Sequence, residues 1–470
     1  MTKTLIKGGR VLTMADGDKE RQADILIEDG RIAAIETEIE PPAGAKIVDA
    51  VGSIVLPGFV DTHRHVWQTQ LRTVATDWSL FDYFVRMRLG YSTFYTADDA
   101  YLGNYVGALE ALDAGITTLV DHCHIVNTPE HGEEALHGLH DAGIGAIYCY
   151  GTFPNEPRVP MSVPADPAWR HETARALRRS SFGDDKGLVK FGFAPSEAEM
   201  MEPDDLAADL KLARELGAQA ISCHTALGPY DLGANLVERL QEAGLLGPDL
   251  LFVHGASLTD RDLDLIRHAD AGISSTPETE MQMGMGFPVA ERAVAHGTKV
   301  GLGIDIVSNY AGDMFMPMRL GLQATRAVRN ERFGARGRAP ARIEPAASRF
   351  LRMATLGGAE AIHMEREIGS LAVGKRADIA IVSTRAMHMT PAFDGVGALV
   401  MNARPSDVTT VFVNGKLVKQ EGRLVGVDWQ TLRHRFAASA ERIAQGFSTV
   451  DIAEVYEATQ PLIAHLEMPA

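Results

Sequence analysis

Two histidines one residue apart follow an apolar run near the start of the chain. The run at residues 54–56 precedes Pro57-Gly58, and the segment closes with His63 and His65. Residues i and i+2 of a strand point to the same side, so both imidazoles can reach one point in space. Two converging imidazoles are suited to bind a divalent metal ion. The pair alone is more often found on a solvated surface strand, so its interpretation depends on the rest of the chain.

Three further residues of metal-ligand type end apolar runs that read as strands. They are His224, His254 and Asp305. Each has a purely structural explanation when taken alone: either histidine suits a hydrogen-bonded core position, and Asp305 suits a helix cap. Five such residues at strand ends are hard to explain independently. The sequence therefore predicts a metal site at these strand ends.

The elements that must position these side chains alternate between strand and helix. From residue 54 onward, helix-compatible segments separate strands predicted at 54–62, 116–121, 144–150, 187–194, 219–224, 250–254, 271–275 and 299–305. This pattern is typical of a parallel α/β fold, and eight units over about 250 residues predict a distorted TIM (β/α)8 barrel, whose strand ends carry the active site. A doubly wound open sheet is the alternative, but no Gly-x-Gly-x-x-Gly motif follows an early strand.

Both chain ends have a β pattern instead. Residues 3–50 contain an Asp29-Gly30 turn and residues 366–425 contain an Asn414-Gly415 turn, both typical of hairpins. Neither segment has enough apolar residues to stand alone, so we expect one small β-sandwich built from both. The predicted division is 1–56 (first part of the sandwich), 57–365 (metal-dependent catalytic barrel), 366–425 (second part of the sandwich) and 426–470 (C-terminal helices).

Composition limits the partners and the compartment. The 470 residues carry a formal net charge of −17 and show no basic stripe, so nucleic acid and anionic membrane surfaces are not expected partners. Three cysteines without a Cys-x-x-Cys pair fit a reducing cytoplasm. The N-terminus lacks the apolar core of a signal peptide, and no apolar run approaches the ~18 residues of a membrane span. We expect a cytoplasmic homo-oligomer, a dimer or higher, that acts on a small molecule.

Two motifs and the strand-end set together resemble the amidohydrolase superfamily. The motifs are Gly58-Phe59-Val60-Asp61-Thr62-His63-Arg64-His65 and Gly369-Ser370-Leu371-Ala372-Val373-Gly374-Lys375-Arg376-Ala377-Asp378. The likeness covers nearly the whole chain and is strongest to the branch of triazine hydrolases and cytosine/guanine deaminases.

The resemblance implies a site built around one divalent metal ion, with Zn²⁺ as the first choice and Fe²⁺ as the second. Its ligands would be His63, His65, His224 and Asp305, a set that disfavours Mg²⁺ and Ca²⁺. Such an ion can lower the pKa of its bound water to about 7. Asp305 would pass the water proton to the leaving nitrogen, and His254 would hydrogen-bond the water or the developing oxyanion.

The segment after His224 departs from the pattern of that branch. A glutamate usually stands three residues after this histidine and protonates a ring nitrogen, but here the residue is Leu227. The leucine side chain cannot transfer a proton. This favours hydrolysis of a non-peptide C–N bond in an amide, urea or carbamate of a small, partly apolar or aromatic compound. Deamination of a nitrogen heterocycle is the alternative, with Glu278 or Glu280 as the substitute acid unless both are solvated loop charges. A third possibility, of another class, is a non-catalytic binding or assembly protein on a decayed barrel.

Aromatic residues follow the first histidine pair closely. Trp67, Trp78 and Phe84 would usually be core, but their position predicts that some of them shape an apolar substrate pocket. The opposite wall would come from Met281, Met283, Met285 and Phe287. A second pair, His122 and His124, is expected to line the pocket rather than to hold a second metal.

Overall fold

The computed structural model describes residues 3–15, 17, 19–155, 168–183, 186–231 and 233–459. Its strands are β1 (Lys3–Val11), β2 (Arg21–Glu28), β3 (Arg31–Glu36), β4 (Lys46–Asp49), β5 (Ser53–Pro57), β6 (Phe59–Arg64), β7 (Ile116–Cys123), β8 (Gly145–Gly151), β9 (Val189–Ala194), β10 (Ile221–Thr225), β11 (Leu250–His254), β12 (Gly272–Ser275), β13 (Lys299–Leu302), β14 (Ile379–Ser383), β15 (Val408–Val413), β16 (Lys416–Gln420) and β17 (Arg423–Leu424).

The helices are distributed along the whole described chain. They are α1 (Leu80–Tyr83), α2 (Ala97–Asp113), α3 (Pro129–Ala142), α4 (Ala168–Ser181), α5 (Pro203–Glu215), α6 (Leu236–Glu242), α7 (Asp260–His268), α8 (Pro277–Gln282), α9 (Ala290–Ala295), α10 (Phe315–Gly334), α11 (Ala347–Met353), α12 (Leu356–Ala361), α13 (Gly395–Gly397), α14 (Trp429–Phe447) and α15 (Ile452–Thr459). Within 426–470, where C-terminal helices are predicted, the structure has α14 and α15, and the residues after 459 lie outside the described part. None of these helices is long and apolar enough to cross a membrane.

Eight parallel strands close into a barrel. They run in chain order from β6 to β13, and β13 pairs with β6 to complete the circle. Every residue of β6, β7 and β8 is buried, because the strands of a parallel barrel are covered on both faces. The TIM-barrel prediction is confirmed, and the carboxyl ends of all eight strands meet at one rim.

The prediction of one strand at 54–62 is wrong, because this segment forms two strands, β5 and β6. The chain passes from β5 in the outer sheet to β6 in the barrel at Gly58, whose N–H donates to the carbonyl of Asp378. A Cβ at Gly58 would lie 2.1 Å from the Thr117 hydroxyl oxygen, so only glycine fits this close approach. Both strands are fully buried, and the residues next to Gly58 are apolar on both sides, so the sequence pattern does not show the break.

Both chain ends contribute to a second, nine-stranded sheet. Its order is β17-β16-β15-β14-β5-β1-β2-β3, with β4 paired to β1. The antiparallel pairing of β14 with β5 joins the late segment to the early one. Ile25, Val55, Ile379 and Phe412 share one hydrophobic cluster across that junction. This arrangement agrees with the predicted small β domain built from both ends, while the exact domain boundaries stay a prediction.

The two predicted hairpin turns contact each other. Asp29-Gly30 joins β2 to β3 and Asn414-Gly415 joins β15 to β16, with positive φ at all four residues. A Cβ at Gly415 would lie 2.6 Å from the Cα of Gly30, so the turns pack closely where glycine leaves room. The carbonyl of Gly30 and the N–H of Gly415 both bond to Ala377, which stands between the two turns. The turn chemistry thus also helps to hold the chain ends together.

Candidate metal centre

The five residues predicted to form the metal site, four as ligands and His254 as a hydrogen-bonding partner, lie at the carboxyl ends of four barrel strands. His63 lies in β6 and His65 directly follows it, while His224 lies in β10 and His254 ends β11. Asp305 follows β13, and its backbone N–H donates to the carbonyl of His63 at 2.8 Å. The N–H of His65 in turn donates to the carbonyl of Asp305 at 2.8 Å. These two bonds fix the aspartate beside the histidine pair.

Two of these residues have a backbone conformation that residues other than glycine rarely adopt. The φ angle is 75° at His254 and 70° at Asp305. Such a conformation costs on the order of 1–3 kcal/mol and persists where the surroundings over-determine it. Both strained residues direct their side chains to the same site, which is typical of a functional centre.

The potential ligand atoms of the five residues converge. The Nε2 atoms of His63 and His65 each lie 3.3 Å from Oδ1 of Asp305. Two overlapping triples have ligand atoms within 4.8 Å of one another: His63 with His224 and His254, and His63 with His65 and Asp305. Since His63 belongs to both triples, the five side chains form one cluster.

Hydrogen bonds orient three histidines of the cluster. Nδ1 of His65 donates to the carbonyl of His122 at 2.8 Å, and Nδ1 of His224 donates to Oε2 of Glu197 at 3.1 Å. Nδ1 of His254 bonds to the hydroxyl of Thr276 at 2.9 Å. The remaining nitrogen, Nε2, is then available in each ring, and a partner that fixes the tautomer in this way commonly supports a metal-ligating histidine.

The environment keeps the imidazoles in the form that binds metal. Burial, followed by neighbouring histidines, holds the pKa of His63 and of His65 well below the usual 6.5, and burial lowers the pKa of His254 to about 3. His63 is fully buried, and neither of its ring nitrogens has a hydrogen-bond partner among the described residues. A divalent ion would give this orphaned group a partner, so the residues present fit such an ion.

The cluster opens into a cavity of about 150 Å³. Its polar lining consists of His65, Arg88, His124, Glu197, His224, His254, Thr279 and Asp305. Its other walls are mainly apolar and aromatic, namely Leu80, Phe81, Tyr83, Phe84, Met200, Leu227, Tyr230, Met283, Met285 and Ile306. A cavity with a polar, potentially metal-binding base and apolar walls is suited to a small, partly apolar ligand.

The family model described as "Amidohydrolase family" matches residues 54–418, which include the barrel and all five residues of the cluster. The chain belongs to the amidohydrolase family. Among similar curated proteins is the 5'-deoxyadenosine deaminase of Methanosarcina mazei, which is 29% identical over 94% of this chain and 99% of that protein. The 5-methylthioadenosine/S-adenosylhomocysteine deaminase of Symbiobacterium thermophilum is 28% identical over 95% and 100%.

Solved structures share the fold of this amidohydrolase over nearly its whole length. The adenosine deaminase of Xanthomonas campestris with bound zinc has a TM-score of 0.82 at 23% identity, covering 94% of this chain and 99% of that one. The atrazine chlorohydrolase of Arthrobacter aurescens complexed with zinc has a TM-score of 0.83 at 20% identity, covering 93% and 100%. The family match and the curated relatives confirm the predicted family and the enzyme class, a metal-dependent hydrolase that acts on non-peptide C–N bonds.

The aromatic residues predicted to shape the pocket have different positions in the structure. Phe84 lines the cavity. Trp67 is fully buried behind the wall, where its indole N–H donates to Nδ1 of His124 at 3.0 Å. Trp78 is half-buried next to Tyr91, outside the cavity lining. Trp67 therefore supports a wall residue instead of facing the cavity.

The remaining pocket predictions also divide. His122 lies outside the lining, stacked on His224 at 4.3 Å between ring centroids and bonded to the Ser222 hydroxyl at 3.0 Å. Of the predicted opposite wall, Met283 and Met285 line the cavity, whereas Phe287 is exposed. His122 thus contacts His224 with its ring, and its backbone carbonyl accepts the hydrogen bond from His65.

Glu278 and Glu280 lie in the short helix α8 and not in a solvated loop. Glu280 is fully buried and accepts hydrogen bonds from the N–H of Thr276 at 2.7 Å and from the hydroxyl of Ser275. Burial raises the pKa of each glutamate to about 8. Neither belongs to the cavity lining. The alternative of solvated loop charges is therefore wrong for Glu280, whose carboxyl group holds the start of α8.

Two polar residues at the cavity were missed in the sequence. Glu197, three residues after β9, accepts from Nη1 of Arg88 at 2.9 Å with one oxygen and from His224 with the other. Burial alone would raise the pKa of Glu197, but His224 and Arg88 outweigh it and hold that pKa far below its usual range. An acid just past a barrel strand was a usable signal for Glu197. For Arg88 the sequence offered no such signal, because this residue lies in a helical segment.

Proposed function

We propose that this amidohydrolase binds one divalent metal ion, Zn²⁺ in the first place and Fe²⁺ as the alternative, through His63, His65, His224 and Asp305. The supporting observation is the convergence of their ligand atoms around a fully buried His63, whose ring nitrogens have no hydrogen-bond partner among the described residues. When bound, such an ion supplies a Lewis acid that activates water and polarises the group under attack.

The residues of the chain divide the remaining work. Asp305 accepts a proton from the attacking water and returns it to the leaving nitrogen. His254, held by Thr276, hydrogen-bonds the oxygen that gains negative charge during the attack. Phe84 contributes to the apolar wall against which the rest of the substrate packs. Trp67, Trp78, His122, Glu278 and Glu280 were also predicted to bind substrate, but none of them belongs to the cavity lining, and we assign them no direct contact with the substrate.

The reaction that we propose is hydrolysis of a non-peptide C–N bond of the amide, urea or carbamate type. One observation carries this choice: Leu227 lines the cavity at the position where the family branch usually has a glutamate. A bond between a carbonyl carbon and nitrogen can be cleaved with Asp305 and His254 alone, without a second acid on a ring nitrogen.

Deamination of a nitrogen heterocycle is the second candidate. It is favoured by the curated relatives, which are named as deaminases over nearly their full length. In this case Glu197 is the carboxylate that lines the cavity beside His224, and it would have to take up a proton against the effect of His224 and Arg88, which hold its pKa far below the usual range. Glu278 and Glu280 lie outside the lining and are less suited.

A substrate panel separates the two candidates. Zinc-loaded enzyme should be incubated with amides, ureas, carbamates and aminoheterocycles, and the products identified by mass spectrometry with an ammonia assay. We expect a carboxylate and an amine, or the corresponding products of a urea or carbamate. Ammonia together with a ring carbonyl would instead support the deaminase. Inactivity of fully metal-loaded protein on all four classes would favour a non-catalytic protein.

The assembly and location of the enzyme complete the proposal. We propose that it works in the cytoplasm as a homo-oligomer, a dimer or higher, on a small-molecule substrate. The cysteine usage supports the compartment, since all three cysteines are free and buried.

A further inference from the structure

Two buried side chains beside the candidate metal centre carry donors without a hydrogen-bond partner among the described residues. In Arg88 these are Nε and Nη2, and in His124 the group is Nε2. Both residues line the cavity that also contains His224 and Asp305, and each is only 1% exposed. Because a buried donor without a partner is unfavourable, these groups need an explanation, and a ligand in the cavity supplies one.

Hydrogen bonding fixes His124 as a donor at Nε2. An indole N–H can only donate, so Nδ1 of His124, which faces the N–H of Trp67, must be the acceptor. The ring proton then resides on Nε2, the atom that lacks a partner. The ring also stacks on His65 at 4.0 Å between centroids, so its position relative to the metal centre is well defined.

Only one of the three guanidinium nitrogens of Arg88, Nη1, has a hydrogen-bond partner in the described part of the chain. Nη1 donates to Oε1 of Glu197, but the other oxygen of this carboxylate is engaged by His224. The guanidinium lies 3.9 Å from the ring centroid of Phe153, which holds its plane. The N–H groups on Nε and Nη2 point the same way in a guanidinium and form the fork that binds both oxygens of a carboxylate.

We infer that Arg88 and His124 form a subsite that binds a carboxylate group of the substrate. A carboxylate only accepts hydrogen bonds, and the subsite offers donors alone. The apolar residues Phe84, Tyr230 and Met283 line the same cavity and suit the remainder of such a molecule. The substrate class is thus a small, partly apolar carboxylic acid with a hydrolysable C–N bond, an inference that rests on the proposed function.

Two probes of equal shape test the subsite without turnover. Benzoate carries the carboxylate, and nitrobenzene is a neutral molecule of nearly the same shape. Binding of each to the zinc-loaded full-length enzyme would be measured by isothermal titration calorimetry. The test variants are His124→Phe, which keeps a ring against His65, and Arg88→Lys, which keeps a positive charge beside Glu197 but removes the fork. The control is Arg86→Lys, because Arg86 lies in the same helical segment and bonds to Tyr456 outside the cavity lining.

We expect each test variant to weaken benzoate binding at least about tenfold, because hydrogen bonds to a charged group are lost. Nitrobenzene affinity and zinc content should change little, and Arg86→Lys should behave as the wild type. If the wild type fails to bind benzoate, or if benzoate binds equally well to all variants, the subsite is refuted; equal binding would mean that zinc alone holds the carboxylate. If one test variant does not fold, the other decides alone.

The hydrolysis panel is a separate experiment. The carboxylate subsite can therefore be refuted while the proposed function stands, and the proposed function can be refuted while the subsite stands.

Discussion

Asp305 combines two roles that a substitution can separate. Its carboxylate lies 3.3 Å from Nε2 of both His63 and His65, as a ligand would, and its strained backbone aims it into the cavity mouth. The same carboxylate is the base of the proposed reaction. An asparagine at this position keeps the shape and one weakly ligating oxygen but cannot take up the proton.

We predict that Asp305→Asn lowers kcat at least about a hundredfold while much of the metal remains bound, because general-base catalysis typically contributes 10²–10⁴-fold. The measurements are steady-state kinetics on a substrate from the panel and metal content by elemental analysis. A matched comparison is His254→Ala, which should also slow the reaction and leave metal content unchanged. Near-native kcat in a metal-loaded Asp305→Asn enzyme would contradict the assignment and make Glu197 or His254 the next base to test.

At the scale of single residues, the sequence indicated the potential metal ligands at the strand ends but not the residues that hold them in place. His63, His224 and Asp305 could be found because apolar strands end at them. Arg88 and Glu197 are 109 residues apart and meet only in the folded barrel, so no local pattern shows that they pair. The role of Trp67 was not visible in the sequence either. Its aromatic type predicted a pocket wall, but its indole N–H donates to His124.

Among the elements, α8 depends on an unusual buried acid. Glu280 has no exposed surface, and its carboxyl group receives the N–H of Thr276 at the start of the helix. Burial raises its pKa from 4.5 to about 8. The folded protein therefore keeps the proton on Glu280 to higher pH than the unfolded chain does. By linkage, the contribution of Glu280 to the free energy of unfolding falls as pH rises between these two values.

We predict that Glu280→Gln reduces this loss of stability. Glutamine has nearly the same shape and can still accept from Thr276, but it does not ionise. Between pH 5 and pH 8 the midpoint of thermal unfolding should therefore fall less in Glu280→Gln than in the wild type. Glu242→Gln, at an exposed position of α6, is the control and should follow the wild type. Parallel pH profiles for all three proteins would show that Glu280 does not titrate in this range.

The elements themselves were largely predictable because their signals are local. Alternating strands and helices, and the Asp29-Gly30 and Asn414-Gly415 turns, can be read within a few residues. The division between β5 and β6 could not, since strands buried on both faces lose their alternating pattern. The reason for the break, a glycine against Thr117, comes from a residue almost sixty positions away.

On the scale of the whole molecule, the second sheet links the two chain ends around one core. Phe412 in β15 is 1% exposed and shares its hydrophobic cluster with Ile25 and Val55 from the first part of the chain. Removing its ring would leave a cavity between segments that are more than 350 residues apart in sequence. The five residues of the candidate metal centre lie at the ends of barrel strands and make no part of this cluster.

We therefore predict that Phe412→Ala destabilises the protein by about 3–5 kcal/mol through the lost burial and the cavity. Metal content per folded chain should remain that of the wild type, because the barrel strands carry the ligands. The measurements are urea unfolding followed by circular dichroism, and elemental analysis of the folded protein. Phe393→Ala is the matched control: it removes the same ring from a position that is 93% exposed, and it should change stability by no more than about 0.5 kcal/mol. Equal stability of the two variants would mean that Phe412 does not hold the chain ends together, whereas loss of metal from folded Phe412→Ala would mean that the sheet supports the metal centre directly.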